Sequence, residues 1–229
     1  MESNFIDPIL DGRLHHPFRC CVIGQSQAGK TFWTINLIKK SEELIDKKIE
    51  KIFWFYGADS PFRGEDPLGN TKNVNISFIK GIPKSFDEYI DENRAHLLIF
   101  DDLFTESMQS EEMVFLFTKW SAHSNCSVIL LTQDFFQNGN GTGNSNRKTI
   151  TRNSNYLCCF RNPLDQHSIQ IIGQRIMPKQ TRLFQKVFEA SCDQGRYLFI
   201  DGHHMSNKRL KFRGNIFGEF QRIYEVESQ

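Results

Sequence analysis

Phe18–Lys40 reads FRCCVIGQSQAGKTFWTINLIKK, and this stretch decides the fold. Phe18–Ile23 is a short, mostly apolar run that stops at a glycine. From Lys30 onward, Phe32, Ile35, Leu37 and Ile38 recur at helical spacing. Between them, Gly24-Gln25-Ser26-Gln27-Ala28-Gly29-Lys30-Thr31 fits G-x-x-x-x-G-K-[ST] at every position. A strand, a glycine loop and a helix in this order turn successive backbone N–H groups toward one anion and aim the positive helix end at it. Lys30 then reaches the β and γ phosphate oxygens as a point charge, and the Thr31 hydroxyl is placed for Mg²⁺. A chance glycine turn is the competing reading; the flanking strand and helix argue against it.

A nucleotide loop of this kind needs carboxylates at a neighbouring strand end. His96–Phe100, HLLIF, runs into Asp101-Asp102. Asp101 is expected to hold magnesium, directly or through water, and Asp102 to orient the attacking water. An acidic turn or helix cap is the plainer alternative. Ser127–Thr132, SVILLT, ends in Gln133, whose amide can touch a γ-phosphate and a water at once. It is assigned as a sensor of hydrolysis, against the alternative of a surface glutamine opening a loop.

Outward from these motifs, Lys51–Tyr56 and Asn155–Phe160 read as further strands, and Asn75–Ile79 as a short one. Ser85–Asn93, Glu111–Ser121, Leu164–Gly173 and Lys179–Ser191 read as helices. Arg196–Ile200 and Leu210–Phe220 close the chain as strand-like runs. Near-continuous apolar strands alternating with helices imply an α/β fold with a mainly parallel central sheet covered on both faces. Residues 1–17 read as an irregular arm and 18–229 as one domain, with a C-terminal extension from about 175. A loop with Gly57, Pro61, Gly64, Pro67 and Gly69 follows the second strand, and the Gly/Asn-rich segment starting at Gln137 implies a mobile loop over about 137–154.

Composition sets outer limits. The chain has 229 residues, 39% of them hydrophobic and 24% charged, with a formal net charge of +1. A large electrostatic attraction of the whole molecule to nucleic acid is therefore excluded, and any such contact must be local. The six cysteines form no C-x-x-C pair. The vicinal pairs Cys20-Cys21 and Cys158-Cys159 sit in apolar runs, which suggests buried free thiols and a reducing compartment. No signal peptide or membrane-spanning run is expected. The pairs His15-His16 and His203-His204 lack the spacing of metal ligands and read as surface histidines. Trp33, Trp54 and Trp120 read as core or subunit contacts. Lys208, Arg209, Lys211 and Arg213 form a basic cluster; on a strand, Arg209, Lys211 and Arg213 share a face, fit either to touch DNA phosphates or to protect a solvated edge.

Taken together, GQSQAGKT, LLIFDD and SVILLTQ resemble the FtsK–HerA superfamily of DNA-pumping ATPases. The nearer resemblance is to the viral genome-packaging ATPases of poxvirus-like, virophage and Maverick/Polinton-type elements. His123-Ser124-Asn125 before the sensor strand, NYLCCFRNPLD over Asn155–Asp165, and the His16-Pro17-Phe18 lead-in are also similar. The resemblance spans roughly Pro17 to Gly173. It implies a P-loop NTPase of RecA/ASCE-like, three-layer architecture that hydrolyses ATP with Mg²⁺. Nucleotide contacts run from Gly24 to Phe32, with Thr31 and Asp101 at the metal and Lys30, Asp102 and Gln133 catalytic. It further implies a homo-oligomeric ring of six subunits that moves double-stranded DNA into a preformed capsid, docked on a capsid or portal-vertex protein. The place of action is then a virus assembly site inside the host, in nucleus or cytoplasm, with association to the virion open. A basic residue often follows the proline of Asn-Pro-x-Asp in that family, whereas here Leu164 stands there. The arginine finger is therefore sought among Arg147, Arg152 and Arg161, with Arg152 favoured because Arg147 ends the loop. A helicase-like remodelling ATPase and a nucleotide-dependent assembly switch with little turnover are the alternatives.

Overall fold

The computed structural model describes residues 10–57, 75–120, 124–133 and 142–226. Its centre is a sheet whose nine described strands are β1 (Arg19–Ile23), β2 (Lys51–Tyr56), β3 (Asn75–Lys80), β4 (His96–Asp101), β5 (Cys126–Thr132), β6 (Tyr156–Phe160), β7 (Tyr197–Asp201), β8 (Phe212–Gly214) and β9 (Arg222–Ile223). They lie in the order β3-β2-β4-β5-β1-β6-β7-β8-β9. The pairings from β3 through to β6 are parallel. Those from β6 to β9 are antiparallel, so the sheet is mixed rather than parallel throughout.

The alternation of side chains along each strand splits the core in two. Cys21, Phe53, Phe55, Leu98, Phe100 and Val128 face one side. Over them pack α3 (Phe104–Gln109), α4 (Glu111–Phe115), α5 (Thr142–Asn153), α6 (Gln166–Ile176) and α7 (Thr181–Gly195), through Met108, Met113, Ile150, Ile172 and Phe184. Cys20, Val22, Trp54, Leu97, Ile99 and Leu131 face the other side. There they meet Trp33, Leu37 and Ile38 of α1 (Lys30–Lys39) and Leu44 of α2 (Ser41–Leu44). The vicinal cysteines point to opposite faces as the alternation requires, and all six thiols are free and buried. Trp33 and Trp54 are core residues.

Four expectations are corrected. Ser85–Asn93 is not helical, because its polar side chains bond their own backbone. The Asp87 N–H donates to Ser85 Oγ and the Asn93 N–H to Asp91 Oδ1, in the short-range pattern that competes with a helix. The expected 137–154 loop is helical from Thr142 to Asn153. Ile150, fully buried against the sheet, and Asn146, whose Nδ2 donates to the Met108 carbonyl, tie α5 down despite its polar sequence. Its earlier part, 137–141, lies outside the described residues, as do 58–74, His123 and the first nine residues of the arm. The arm itself docks from Leu10 onward: Leu14 is buried and its N–H and carbonyl bond Leu44 and Asp46. Finally, Lys208–Leu210 is a 3₁₀ turn and not part of a strand, so Arg209, Lys211 and Arg213 do not share a solvated face. Arg213 turns inward to a buried ion pair with Asp201 at 2.9 Å.

The helix over Glu111–Ser121 appears as α4 running into a π turn, Leu116–Trp120. α3 was not foreseen from the sequence.

Candidate functional site

Strands β1, β4 and β5 are neighbours and parallel, so their carboxyl ends open on one side of the sheet. In open α/β sheets ligands bind at such ends. The Gly24–Thr31 loop leaves β1 there, anchored by the Gly24 N–H on the Thr132 carbonyl of β5 at 3.1 Å. Glycine is required at two points. A Cβ on Gly24 would stand 2.7 Å from the Phe160 Cβ, and Gly29 has φ 105° as it hands the loop to α1. No side chain caps the start of α1, and its first turn has no acidic residue. Its leading N–H groups are thus left for another acceptor.

Lys30 folds back over the loop, its Nζ donating to the carbonyls of Gly24 at 2.7 Å and Gln25 at 2.9 Å. Burial lowers its pKa, and the charges of Asp101 and Asp102 oppose that. The lysine therefore sits between the loop and both strand-end carboxylates.

Thr31 Oγ1 donates to Asp101 Oδ2 at 3.3 Å, joining the loop to the end of β4. Burial raises the Asp101 pKa to about 6; the Thr31 hydrogen bond and the Lys30 charge pull it down, and Asp102 pushes it further up. Asp102 is exposed and held at φ 55°. A residue that the sequence marks only as the start of a loop fixes that bend. Gly57, just past β2, donates its N–H to the Asp101 carbonyl at 3.1 Å. A Cβ there would lie 2.3 Å from the Asp102 carbonyl oxygen. Glycine after an apolar strand was the only available signal, and the sequence does not say which strand end it touches.

One cleft of about 640 Å³ brings most of the expected residues together. Ser26, Gln27, Lys30 and Thr31 line it from the loop, Asp101 and Asp102 from β4, and Gln133 from β5. Thr105 and Glu106, on the first turn of α3, also line it and were not anticipated. Phe32 stands outside the lining, 69% exposed on α1. The arginines are scattered. Arg161 follows β6 on the cleft's side of the sheet and pairs with Asp193 at 2.6 Å. Arg152 lies at the end of α5, before β6 begins, and so at the opposite edge from Lys30. Arg147 lies within α5.

The donor set fits a hard divalent cation. A hydroxyl and a carboxylate are already within hydrogen-bond reach, and both are oxygen ligands. Burial raises the pKa of that carboxyl to about 6, and a nearby cation would favour its ionised form. Among the described residues no group of three or more His, Cys, Asp or Glu side chains is arranged to hold a metal by itself. His15 instead pairs with Asp46, and His16 bonds Asn125 and Ser127.

No family model and no curated protein sequence matches the chain. Solved structures do. The chain shares its fold with a viral genome packaging NTPase. That protein is B204 of Sulfolobus turreted icosahedral virus 2, seen in complex with sulfate: TM-score 0.50, 11% identity, over 93% of this chain and 98% of B204. Its complex with ATP-gammaS gives TM-score 0.50 and 12% identity, over 91% of this chain and 96% of B204. At such identity the likeness carries the mixed α/β architecture. No described helix is long and apolar enough to cross a membrane.

Proposed function

We propose that this chain is a P-loop ATPase of the RecA-like class that hydrolyses ATP and moves double-stranded DNA into a preformed viral capsid. The observation that carries the reading is the convergence of Lys30, Thr31, Asp101, Asp102 and Gln133 on one cleft at the ends of β1, β4 and β5. A fold shared with a packaging NTPase supports the biological assignment.

The residues divide the work as follows. Backbone N–H groups of Gly24–Thr31 and the start of α1 hold the phosphate chain. Lys30 exchanges its two loop carbonyls for phosphate oxygens and offsets charge that builds on them. Thr31 and Asp101 would hold magnesium, which would neutralise phosphate charge there. Asp102 accepts a proton from the water as its oxygen attacks the γ-phosphorus. The bond from that phosphorus to the bridging oxygen breaks, and ADP leaves with the electron pair. Gln133 bonds the same water and the γ-phosphate, and so registers the cleavage. An arginine of an adjoining subunit completes the site. Arg152, facing away from its own cleft, can serve only a neighbour. This calls for a closed ring, taken as six copies, seated on a capsid or portal-vertex protein at the assembly site in the host cell.

The test is ATP turnover by the full chain with and without double-stranded DNA. Stimulation by DNA, abolished by Lys30→Ala, is expected. Turnover indifferent to DNA in a demonstrated oligomer would remove the motor reading and favour an assembly switch.

A further inference from the structure

The amino end of the parallel strands, opposite the cleft, carries a second charged feature. Two cavities of about 550 and 650 Å³ open there and meet at Gly202 and Lys211, which line both. The first lies against the last turns of α5 and α6, with Leu157, Ile172, Ile176 and Ile200 among its apolar walls. Arg152 and Arg175 line it from those two helix ends. The second continues past Lys211 to Lys208 and Arg209 on the 3₁₀ turn.

A protein of net charge +1 thus places five cations along one continuous depression. The carboxylates among its described lining are Glu225 and Asp201. The first is paired with Arg209 at 2.8 Å; the second is buried against Arg213. Among the described lining residues, cations outnumber carboxylates. Two of the cations complete helix ends. Arg152 and Arg175 sit in last turns, where the helix dipole favours a cation. Lys211 Nζ donates to the Ile176 carbonyl at 3.3 Å. The Arg152 charge, after burial, disfavours the charged form of Arg175, so the two guanidinium groups repel. Asn155 and Asn207 also line the depression, and their side-chain amides are donors of the kind that bond phosphate oxygens.

We propose that this depression grips a nucleic-acid backbone, with Arg175, Lys208 and Lys211 each facing a phosphate. The inference rests on the DNA-motor reading and adds to it the surface that holds the track. Cations spread over two helix ends, a strand lead-in and a turn suit a ligand whose charges repeat along its length. A single carboxylate would meet one or two of them. The apolar walls of the first cavity accommodate the sugar faces between phosphates.

The experiment uses the full chain and a fluorescent random-sequence duplex, with affinity measured from 50 to 200 mM salt. The plot of log affinity against log salt loses about 0.9 in slope per phosphate contact removed. The variant Arg175→Gln/Lys208→Gln, at two exposed positions, is expected to flatten it by about 1.8. Lys84→Gln/Lys186→Gln, exposed and outside both cavities, is expected to leave it unchanged; the thermal midpoint checks that each variant is folded. Duplex binding by the parent with an unaltered slope in the first variant overturns the groove and leaves the motor reading standing. Failure of the parent to bind duplex at 50 mM salt overturns both. Poly-glutamate binding that depends on Arg175 and Lys208 while duplex binding does not would overturn the nucleic-acid assignment in favour of an acidic protein partner.

Discussion

Asp101→Asn is expected to stabilise the nucleotide-free protein while removing its activity. Asp101 is 9% exposed, and burial lifts its pKa from 3.8 to about 6. A carboxyl whose pKa is raised by folding favours the fold when protonated. That contribution is complete below pH 3.8 and is lost as pH rises through about 6. Above that pH the ionised carboxylate opposes folding by roughly 2 pKa units, or about 3 kcal/mol at 1.36 kcal/mol per unit. Asparagine keeps an oxygen for the Thr31 hydroxyl but carries no charge. Urea unfolding at pH 8 should therefore show the variant more stable by up to about 3 kcal/mol, and at pH 4 by well under 1 kcal/mol. For a chain of this size that corresponds to a midpoint higher by about 6–12 °C at pH 8. ATP turnover should fall at the same time, because the carboxylate that destabilises the free protein is the one proposed to hold the metal. A variant equally or less stable than the parent at pH 8, or a gain independent of pH, would refute the argument that burial of this carboxylate strains the free site.

Three further outcomes are expected. Gly57→Ala should cost about 1–3 kcal/mol through overpacking and impair turnover more than nucleotide binding, since the added Cβ displaces the Asp102 carbonyl and not the Gly24–Thr31 loop; denaturant curves and nucleotide titration separate the two effects. Arg213→Met, which strands the buried Asp201 carboxylate, should cost about 3–5 kcal/mol, and adding Asp201→Leu should restore most of it, as a thermodynamic cycle would show. All six thiols should resist a charged alkylating reagent in the native protein and react on unfolding: each is buried, and burial holds Cys21 at a pKa of about 12 and Cys192 at about 12. Fast native labelling of even one would contradict the packing around it.

What the sequence disclosed depended on how local the determinant was. The Gly24–Thr31 loop, the helix after it and the apolar strand before it are contiguous, so motif and periodicity were enough. Asp101, Asp102 and Gln133 were legible because each ends an apolar run, and parallel neighbours bring such ends together. Gly57 and Glu106 were not legible, because their roles depend on which strand lies beside which: β2 beside β4, and α3 folded over the cleft. α5 was misread for a related reason. Its residues are polar and weakly helical, and buried Ile150 together with the Asn146 bond to α3 settles its state. Arg213 was read with its basic neighbours as exposed, and only the β7–β8 pairing turns it toward Asp201. In the parallel half of the sheet, strand identity followed from apolar runs. In the antiparallel half, short strands such as β8 and β9 carry too few residues for periodicity to register.

The most direct test of the central claim is ATP hydrolysis by the parent, Lys30→Ala and Asp102→Asn, each with and without double-stranded DNA, at concentrations where the protein is shown to be oligomeric. The account predicts turnover that DNA stimulates in the parent and that both substitutions abolish, with Asp102→Asn still binding nucleotide. Parent turnover unaffected by DNA, or DNA-stimulated turnover that survives Asp102→Asn, would contradict it.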